Sequence, residues 1–212
     1  MARLIWSAAG ERFYEVGVDR GVLYLPLADG VPWTGLISVT ESPNGGDPKP
    51  FYYDGIKYSN LATSEEFDAT IEAFSSPTEF LPCDGMAAVQ NGLFATQQPR
   101  RPFSLSYRTL VGNDTEGTDL GYKIHIVYNA LASPTNRANK TNADRDTPIT
   151  LSWTISTLPP PVTDIRRTAH FVIDSRYTDP GLLSDVEDIL YGSVVATASL
   201  PTAQALYDMF SV

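Results

Sequence analysis

Apolar and polar residues alternate in three segments between Pro102 and Thr157. Side chains in a β-strand point to opposite faces with a period of two, so each segment is predicted to be a strand with one core face and one wetter face. A long polar loop, residues 133–147, separates the second strand from the third. The polar side of the third strand is Thr150, Ser152, Thr154 and Ser156. The predicted core faces are Phe103, Leu105 and Tyr107 in the first segment, Tyr122, Ile124, Ile126 and Tyr128 in the second, and Ile149, Leu151, Trp153 and Ile155 in the third.

Shorter strand-like segments surround this central stretch. Residues 66–74 alternate in the same way, with Asp68, Thr70 and Glu72 on the polar side. Two proline- and glycine-rich segments, 42–50 and 76–99, are predicted to be irregular, the second with a short helical turn near 86–90. Other strands are predicted at residues 13–18, 22–25, 35–41, 51–58 and 168–173, with turns at Asp19-Arg20-Gly21 and Asp54-Gly55.

One helix is clearly marked, over about 180–191. Asp179 is a natural N-cap, Pro180 a natural first helical residue and Gly192 a natural terminator. Apolar residues recur at helical spacing between these signals, which predicts a helix that packs on a sheet. The residues concerned are Leu182, Leu183, Val186, Ile189 and Leu190. The tail, 201–210, is compatible either with a second short helix or with a docking arm.

Length and composition limit the organisation of the chain. It has 212 residues, 42% of them hydrophobic, which is enough for a core. It shows no internal repeat and no linker, so a single domain over 1–212 is predicted, with an N-terminal arm or hairpin at 1–34 and a C-terminal arm at 193–212. The single cysteine, Cys83, excludes an intrachain disulfide. No secretory signal pattern and no apolar run of about 18 residues occur, so we expect folding in a reducing cytoplasm and no membrane partner.

Charge argues against one class of function. The formal net charge is −10 and the pI is about 4.5. Tight binding of nucleic-acid phosphates requires clustered lysine and arginine, which this balance opposes. The acidic balance allows a surface past which a polyanion slides without sticking, and it is equally what ordinary solubility charge produces.

A search for catalytic chemistry finds no motif for it. The only two histidines, His125 and His170, fall in separate predicted strands and are interpreted as sheet residues rather than zinc ligands. No nucleophile elbow, dinucleotide fingerprint or phosphate loop occurs. The acidic stretch Asn113, Asp114, Glu116 and Asp119 departs from the calcium-loop pattern and is predicted to be a tight turn. Glycoside hydrolysis uses a pair of carboxylates, and sequence spacing leaves open whether Asp68 or Glu72 lies opposite another acid. We therefore expect no enzyme, no cofactor and no metal.

Many short motifs resemble the major tail (tail tube) proteins of long non-contractile-tailed bacteriophages, particularly those of actinobacterial hosts. None of these motifs is a catalytic signature, and together they cover most of the chain from about residue 33 onward. They are Trp33-Thr-Gly-Leu36, Tyr52-Tyr-Asp-Gly-Ile-Lys57, Glu66-Phe-Asp-Ala-Thr-Ile-Glu-Ala73, Phe80-Leu-Pro-Cys-Asp-Gly85, Tyr107-Arg-Thr-Leu-Val-Gly-Asn-Asp-Thr-Glu-Gly117, Gly121-Tyr-Lys-Ile-His125, Val127-Tyr-Asn-Ala130 and Asp188-Ile-Leu-Tyr-Gly192.

The resemblance implies a mostly β fold, with two packed antiparallel sheets in a sandwich or barrel-like arrangement and a flanking helix. It further implies a virion structural protein that forms hexameric rings. The rings would stack, with other phage tail proteins, into a tube assembled in the host cytoplasm, through which DNA passes without specific binding. Extended loops and chain ends would contact other subunits; the candidates are Asn44, Gly45, Gly46 and Asp47 in one loop and Asn136, Arg137, Asn139 and Lys140 in another.

A tube also needs a polar bore that does not grip DNA. The candidates for its lining are the polar sides of two predicted strands, Asp68, Thr70, Glu72, Ser152 and Thr154. Two other functions remain open. One is a tail-tip or tail-completion protein that forms a single ring. The other is a carbohydrate- or receptor-binding β-sandwich, for which Tyr52, Tyr53 and Tyr58 offer an aromatic patch.

Overall fold

The computed structural model of the protein describes residues 4–6, 8–139, 141 and 148–211. This part of the chain is mostly antiparallel β-structure, as predicted, and it has two helices where one flanking helix was predicted. The strands are β1 (Tyr14–Tyr24), β2 (Val31–Pro32), β3 (Leu36–Glu41), β4 (Asn44–Gly45), β5 (Pro48–Tyr53), β6 (Ile56–Ala62), β7 (Glu65–Glu66), β8 (Asp68–Ala73), β9 (Ala87–Gln90), β10 (Leu93–Ala95), β11 (Phe103–Asn113), β12 (Gly117–Ala132), β13 (Leu151–Thr157) and β14 (His170–Asp174). The helices are α1 (Pro180–Tyr191) and α2 (Ala203–Phe210), and a 3-10 turn spans Thr78–Phe80.

An eight-stranded antiparallel sheet forms the body. Its order is β2-β1-β11-β12-β13-β8-β3, and β14 pairs with the middle of β12. The long strand β12 therefore has β11 along one side, and β14 followed by β13 along the other. Three two-stranded ribbons, β4-β7, β5-β6 and β9-β10, lie outside this sheet.

A bend in β12 folds the sheet over on itself. Its pairing register with β11 shifts between Val127 and Ala130, and Asn129 lies there with a φ of 49°. An extra residue of this kind is a β-bulge, which bends a strand. The Asn129 side chain stabilises the bend by donating to the Leu158 carbonyl oxygen at 3.1 Å. Beyond the bulge, β12 pairs with β13, which carries β8 and β3 into a second layer.

The two layers enclose one core. Buried side chains from β1, β11 and β12 share a single cluster with those of β8 and β13. Phe80 lies between the layers, with ring centroids 5.1 Å from Phe103 and 5.1 Å from Trp153. The predicted sandwich of antiparallel layers is thus confirmed, and its layers are halves of one continuous sheet that, over the described residues, does not close into a barrel.

The two helices cover the opposite face of the first layer. Val186 and Leu190 of α1, with Ala203 and Leu206 of α2, pack against β1, β12 and β14. The predicted helix bounds and caps are confirmed, because Asp179 accepts hydrogen bonds from two backbone N–H groups of the first turn. Residues 203–210 are packed on the sheet, so this part of the predicted C-terminal arm is a helix of the body. In the described part of the chain, neither helix is long and apolar enough to cross a membrane.

The predicted turn at Asp19-Arg20-Gly21 is wrong. Strand β1 runs unbroken from Tyr14 to Tyr24, with irregular register against β11 on both sides of Asp19. Arg108 of β11 donates to both Asp19 carboxylate oxygens, at 2.7 and 2.5 Å. The polar residues thus mark a bulge held by an ion pair, and the hairpin of residues 1–34 instead joins β1 to β2.

Substitutions of Asn129 should show how far the bend depends on the backbone conformation of this residue. A β-branched residue is strained at positive φ, so Asn129→Val should lower the free energy of unfolding by about 1–3 kcal/mol. Glycine adopts this conformation freely, so Asn129→Gly loses only an exposed hydrogen bond, about 1 kcal/mol or less. Urea unfolding of the two variants measures the difference, and equal losses would contradict the bend described here.

Candidate functional site

The outward side chains of β3, β8 and β13 form one continuous polar face. The register places Ser152 opposite Glu72 and Thr154 opposite Thr70. All five residues predicted to line a bore therefore lie on this face. It is held together partly by Ser38, which donates from Oγ to Glu72 Oε2 at 3.1 Å. The members of this polar face are Ser38, Thr40, Asp68, Thr70, Glu72, Ser152, Thr154 and Ser156.

The charge of the polar face is of one sign. Strands β3, β8 and β13 contain no lysine or arginine. Asp68 and Glu72 are the acidic members of the face, and the rest are serine and threonine. Phosphates would meet negative charge and hydroxyl groups here. The assignment of this face to a bore stays a prediction.

A long hairpin, residues 44–66, is exposed over nearly all of its length. Ribbon β4-β7 forms its base and β5-β6 its outer part. Its turn is Asp54-Gly55, as predicted, and both residues have positive φ, 48° and 76°. This is the turn chemistry that matches the twist of a two-stranded ribbon. We call residues 44–66 the exposed hairpin.

The exposed hairpin displays large apolar side chains on both strands. Their exposed fractions run from 51% for Phe51 to 79% for Tyr58. The tyrosines named above as a possible aromatic patch are among them, and the Tyr53 and Tyr58 rings meet edge to face at 6.5 Å. The six side chains are Phe51, Tyr52, Tyr53, Ile56, Tyr58 and Leu61.

The first predicted contact loop forms the base of this hairpin. Asn44 and Gly45 belong to β4, and β5 begins at Pro48, so the expectation of an irregular segment over 42–50 is wrong in part. Asp47, between the two strands, is exposed. Gly45 and Gly46 have φ of 84° and 76°, and a Cβ on Gly45 would lie 2.5 Å from the Ser64 carbonyl oxygen. The glycines therefore shape the turn of the chain into the hairpin.

The second predicted contact loop is described as far as Asn139. Asn136 and Asn139 are exposed, whereas Arg137 forms an ion pair with Asp84 and lies over the Trp153 ring at 5.9 Å. Arg137 is thus engaged within its own chain. Lys140 lies outside the described residues.

A second exposed ribbon was missed by the sequence reasoning. Residues 76–99 were expected to be irregular, with a helical turn near 86–90, yet they contain β9 and β10. Val89, Leu93 and Phe94 on this ribbon are exposed. The dipeptide Asn91-Gly92 between the strands is a strong hairpin signal and was sufficient to find it.

The acidic stretch after β11 is a tight turn, as predicted. Asn113 Oδ1 accepts hydrogen bonds from the backbone N–H groups of Thr115 and Glu116, at 3.1 and 2.6 Å. Asp114 accepts from the Gly10 backbone N–H at 2.9 Å and pairs with Arg12. Asn113 and Asp114 therefore hold the turn and tie the N-terminal segment to it.

The two histidines, interpreted as separate sheet residues, meet each other. His125 on β12 and His170 on β14 lie on the inner face of the first layer, and Glu41 at the end of β3 approaches from the second. Burial, and after it the nearby charge of His170, lowers the pKa of His125 to about 4. Burial also lowers the pKa of His170, and burial next to Glu41 raises that of Tyr107. Both shifts favour the neutral form of the imidazoles.

Comparison with known proteins adds little. No protein-family model and no curated protein sequence matches the chain. A similar solved chain comes from the cryo-EM structure of the anti-feeding prophage baseplate, 6-fold symmetrised. It is 9% identical with a TM-score of 0.40, over 80% of this chain and 97% of that one. A TM-score of this size does not assign a function.

Proposed function

We propose that this protein is a structural component of a phage virion that assembles through the exposed hairpin into stacked hexameric rings, forming a tail tube. The observation that carries the proposal is the hairpin itself. Six large apolar side chains stand on a ribbon whose two strands pair only with each other among the described residues. The protein would act by assembly rather than by catalysis.

Exposing these six apolar side chains to water is unfavourable. A two-stranded ribbon is marginally stable alone, and contiguous exposed apolar surface marks an interaction site. Aromatic residues are enriched in the cores of protein interfaces, where they supply much of the binding energy. The hairpin therefore requires a partner surface. Further copies of the chain offer one, because ribbon β9-β10 presents Val89, Leu93 and Phe94 unburied.

The polar face supplies the second requirement of a tube. Charges are screened beyond about 8 Å at physiological salt, so an acidic wall repels phosphates only close to it, where DNA would otherwise stick. Asp68 and Glu72, without a basic residue on the three strands, give such a wall. The serine and threonine side chains keep the rest of the polar face hydrated.

Self-association is the experiment that tests the proposal. Sedimentation velocity over a wide range of protein concentration should show growth from monomer to rings and longer polymers. High salt should not abolish it, because apolar burial is strengthened by kosmotropic salts. A species that stays monomeric throughout, in both salt conditions, would contradict assembly through the hairpin.

A cysteine placed in the polar face tests the bore, and this is the second prediction. Cys83 is buried and burial raises the pKa of its thiol to about 11, so it gives little background reaction. In the Thr154→Cys variant, a small maleimide should label monomers and polymers alike. A bulky polyethylene-glycol maleimide should label the monomer and fail on the polymer. Equal labelling of polymers by both reagents would place this face outside the bore.

The tyrosines of the exposed hairpin support a second candidate function. Exposed tyrosines such as Tyr52, Tyr53 and Tyr58, of which Tyr53 and Tyr58 meet edge to face, are also what a carbohydrate- or receptor-binding protein would display. A glycan array discriminates the two, because saturable binding by a persistent monomer favours recognition. A single ring that never lengthens would instead indicate a tail-completion protein.

A further inference from the structure

Three side chains with metal-binding atoms converge at one end of the inner core. His125 Nδ1 lies 3.2 Å from His170 Nε2 and 3.4 Å from Glu41 Oε1, and His170 Nε2 lies 3.8 Å from the same oxygen. They come from three different strands of two layers, so the fold, and not local sequence, brings them together. We call Glu41, His125 and His170 the histidine cluster.

These separations match a tetrahedral zinc ion. Zinc binds imidazole nitrogen at about 2.0–2.1 Å and carboxylate oxygen at about 2.0–2.2 Å, so its ligand atoms lie roughly 3.3–3.5 Å apart. The observed 3.2, 3.4 and 3.8 Å need adjustments of a few tenths of an ångström. Imidazole suits zinc and its neighbours among the transition metals, while magnesium and calcium prefer sites made only of oxygen.

Hydrogen bonds from outside the cluster orient two of the ligands. Thr109 Oγ1 lies 3.1 Å from His125 Nε2, so an Nε2–H donated to this hydroxyl leaves the Nδ1 lone pair facing the cluster. Tyr107 donates from its hydroxyl to Glu41 Oε1 at 2.9 Å. Such outer hydrogen bonds orient metal ligands and fix their tautomer.

Packing against aromatic side chains fixes the ring planes of His125 and His170. The Tyr107 ring stacks on His125 at 4.6 Å and 5°, and Phe67 packs against His170 at 4.3 Å. The side chains of His125 and His170 are 8% and 13% exposed, whereas that of Glu41 is 41% exposed. Buried imidazoles with one solvent-facing carboxylate leave a side from which an ion enters and on which a water completes the coordination.

We infer that Glu41, His125 and His170 form a binding site for Zn²⁺, with three protein ligands and one water. The site would join the two layers of the sandwich. It would also clamp the base of the exposed hairpin, because Glu41 ends β3 shortly before the hairpin and Phe67, which packs on His170, directly follows β7. The inference does not depend on tube assembly.

Calorimetric titration of the chelator-treated full chain with ZnCl₂ is the direct test. One equivalent of Zn²⁺ should bind, and MgCl₂ under the same conditions should not. At about 100 times its Kd, Zn²⁺ should raise the Tm by about 5–10 °C. The chain has only two histidines, so chemical-shift changes of imidazole protons on titration report on this site alone.

Variants separate the site from adventitious binding to an acidic surface. Glu41→Gln keeps an acceptor for Tyr107 and should abolish the stoichiometric binding, as should His170→Ala. Thr109→Val, which removes only the outer hydrogen bond, should weaken binding by about 10–100-fold. Glu66→Gln, an exposed acid of β7, should bind as the wild type does.

Two results would overturn the inference. One is a wild-type chain that takes up no Zn²⁺ or gains no Tm from it. The other is Glu41→Gln binding Zn²⁺ as tightly as Glu66→Gln does. Should His170→Ala fail to fold, Glu41→Gln still decides, because Glu41 is partly exposed and its substitution leaves the core intact.

Discussion

Replacing Tyr53 and Tyr58 by serine should abolish polymer formation while leaving the monomer folded. The two side chains are 70% and 79% exposed, so their loss should change the free energy of unfolding by about 0.5 kcal/mol or less. In an interface, each buried aromatic side chain contributes about 2 kcal/mol or more. Losing both should weaken each subunit contact by about 1,000-fold, since every 1.4 kcal/mol is about tenfold.

Tyr177 provides a matched control for this double variant. It is 82% exposed, lies in the loop before α1, and is of the same residue type. Tyr177→Ser should assemble as the wild type does in sedimentation and light scattering. If the Tyr53→Ser, Tyr58→Ser variant also assembles normally, the exposed hairpin is not the assembly element.

The second large effect concerns the core that joins the two layers. Trp153 of β13 is fully buried, with ring centroids 5.7 Å from Trp33 and 5.1 Å from Phe80. Trp153→Ala should cost about 3–5 kcal/mol of unfolding free energy through lost burial and a cavity. For a chain of this size, the corresponding fall in Tm is roughly 6–20 °C.

Two neighbouring substitutions sharpen this prediction. Trp153 Nε1 is buried without a hydrogen-bond acceptor among the described residues, so Trp153→Phe removes an unpaired donor while keeping a large ring. Trp153→Phe should lower the free energy of unfolding by roughly half as much as Trp153→Ala does, or less. Thr154→Ala, one residue on but on the polar face, should stay within about 0.5 kcal/mol. Similar losses for Trp153→Ala and Thr154→Ala would contradict the sandwich.

Local signals were sufficient for most elements of the fold. The alternation of Asp68, Thr70 and Glu72 with buried residues predicted both β8 and its outward face, because one face of the strand is buried. Asp179 and Gly192 fixed the ends of α1 because capping is chemistry of the terminal residues themselves. Asp54-Gly55 placed the tip of the exposed hairpin for the same reason.

The sequence-based predictions were wrong where contacts between residues distant in sequence determine the structure. Asp19-Arg20-Gly21 has the composition of a turn, yet Arg108, distant in sequence, holds Asp19 within a continuous strand. Hairpin composition gave no sign that β5 and β6 would lie outside the main sheet. The histidine cluster was not predicted, because it depends on strand register and on the packing of β3 against the first layer. The spacing of Glu41, His125 and His170 along the sequence reveals neither.

Electron microscopy of the purified protein at high concentration should show six-fold rings that stack into hollow tubes, with the exposed hairpin at a subunit interface and the polar face toward the bore. A uniform population of monomers whose hairpin remains solvent-exposed at every concentration would contradict it.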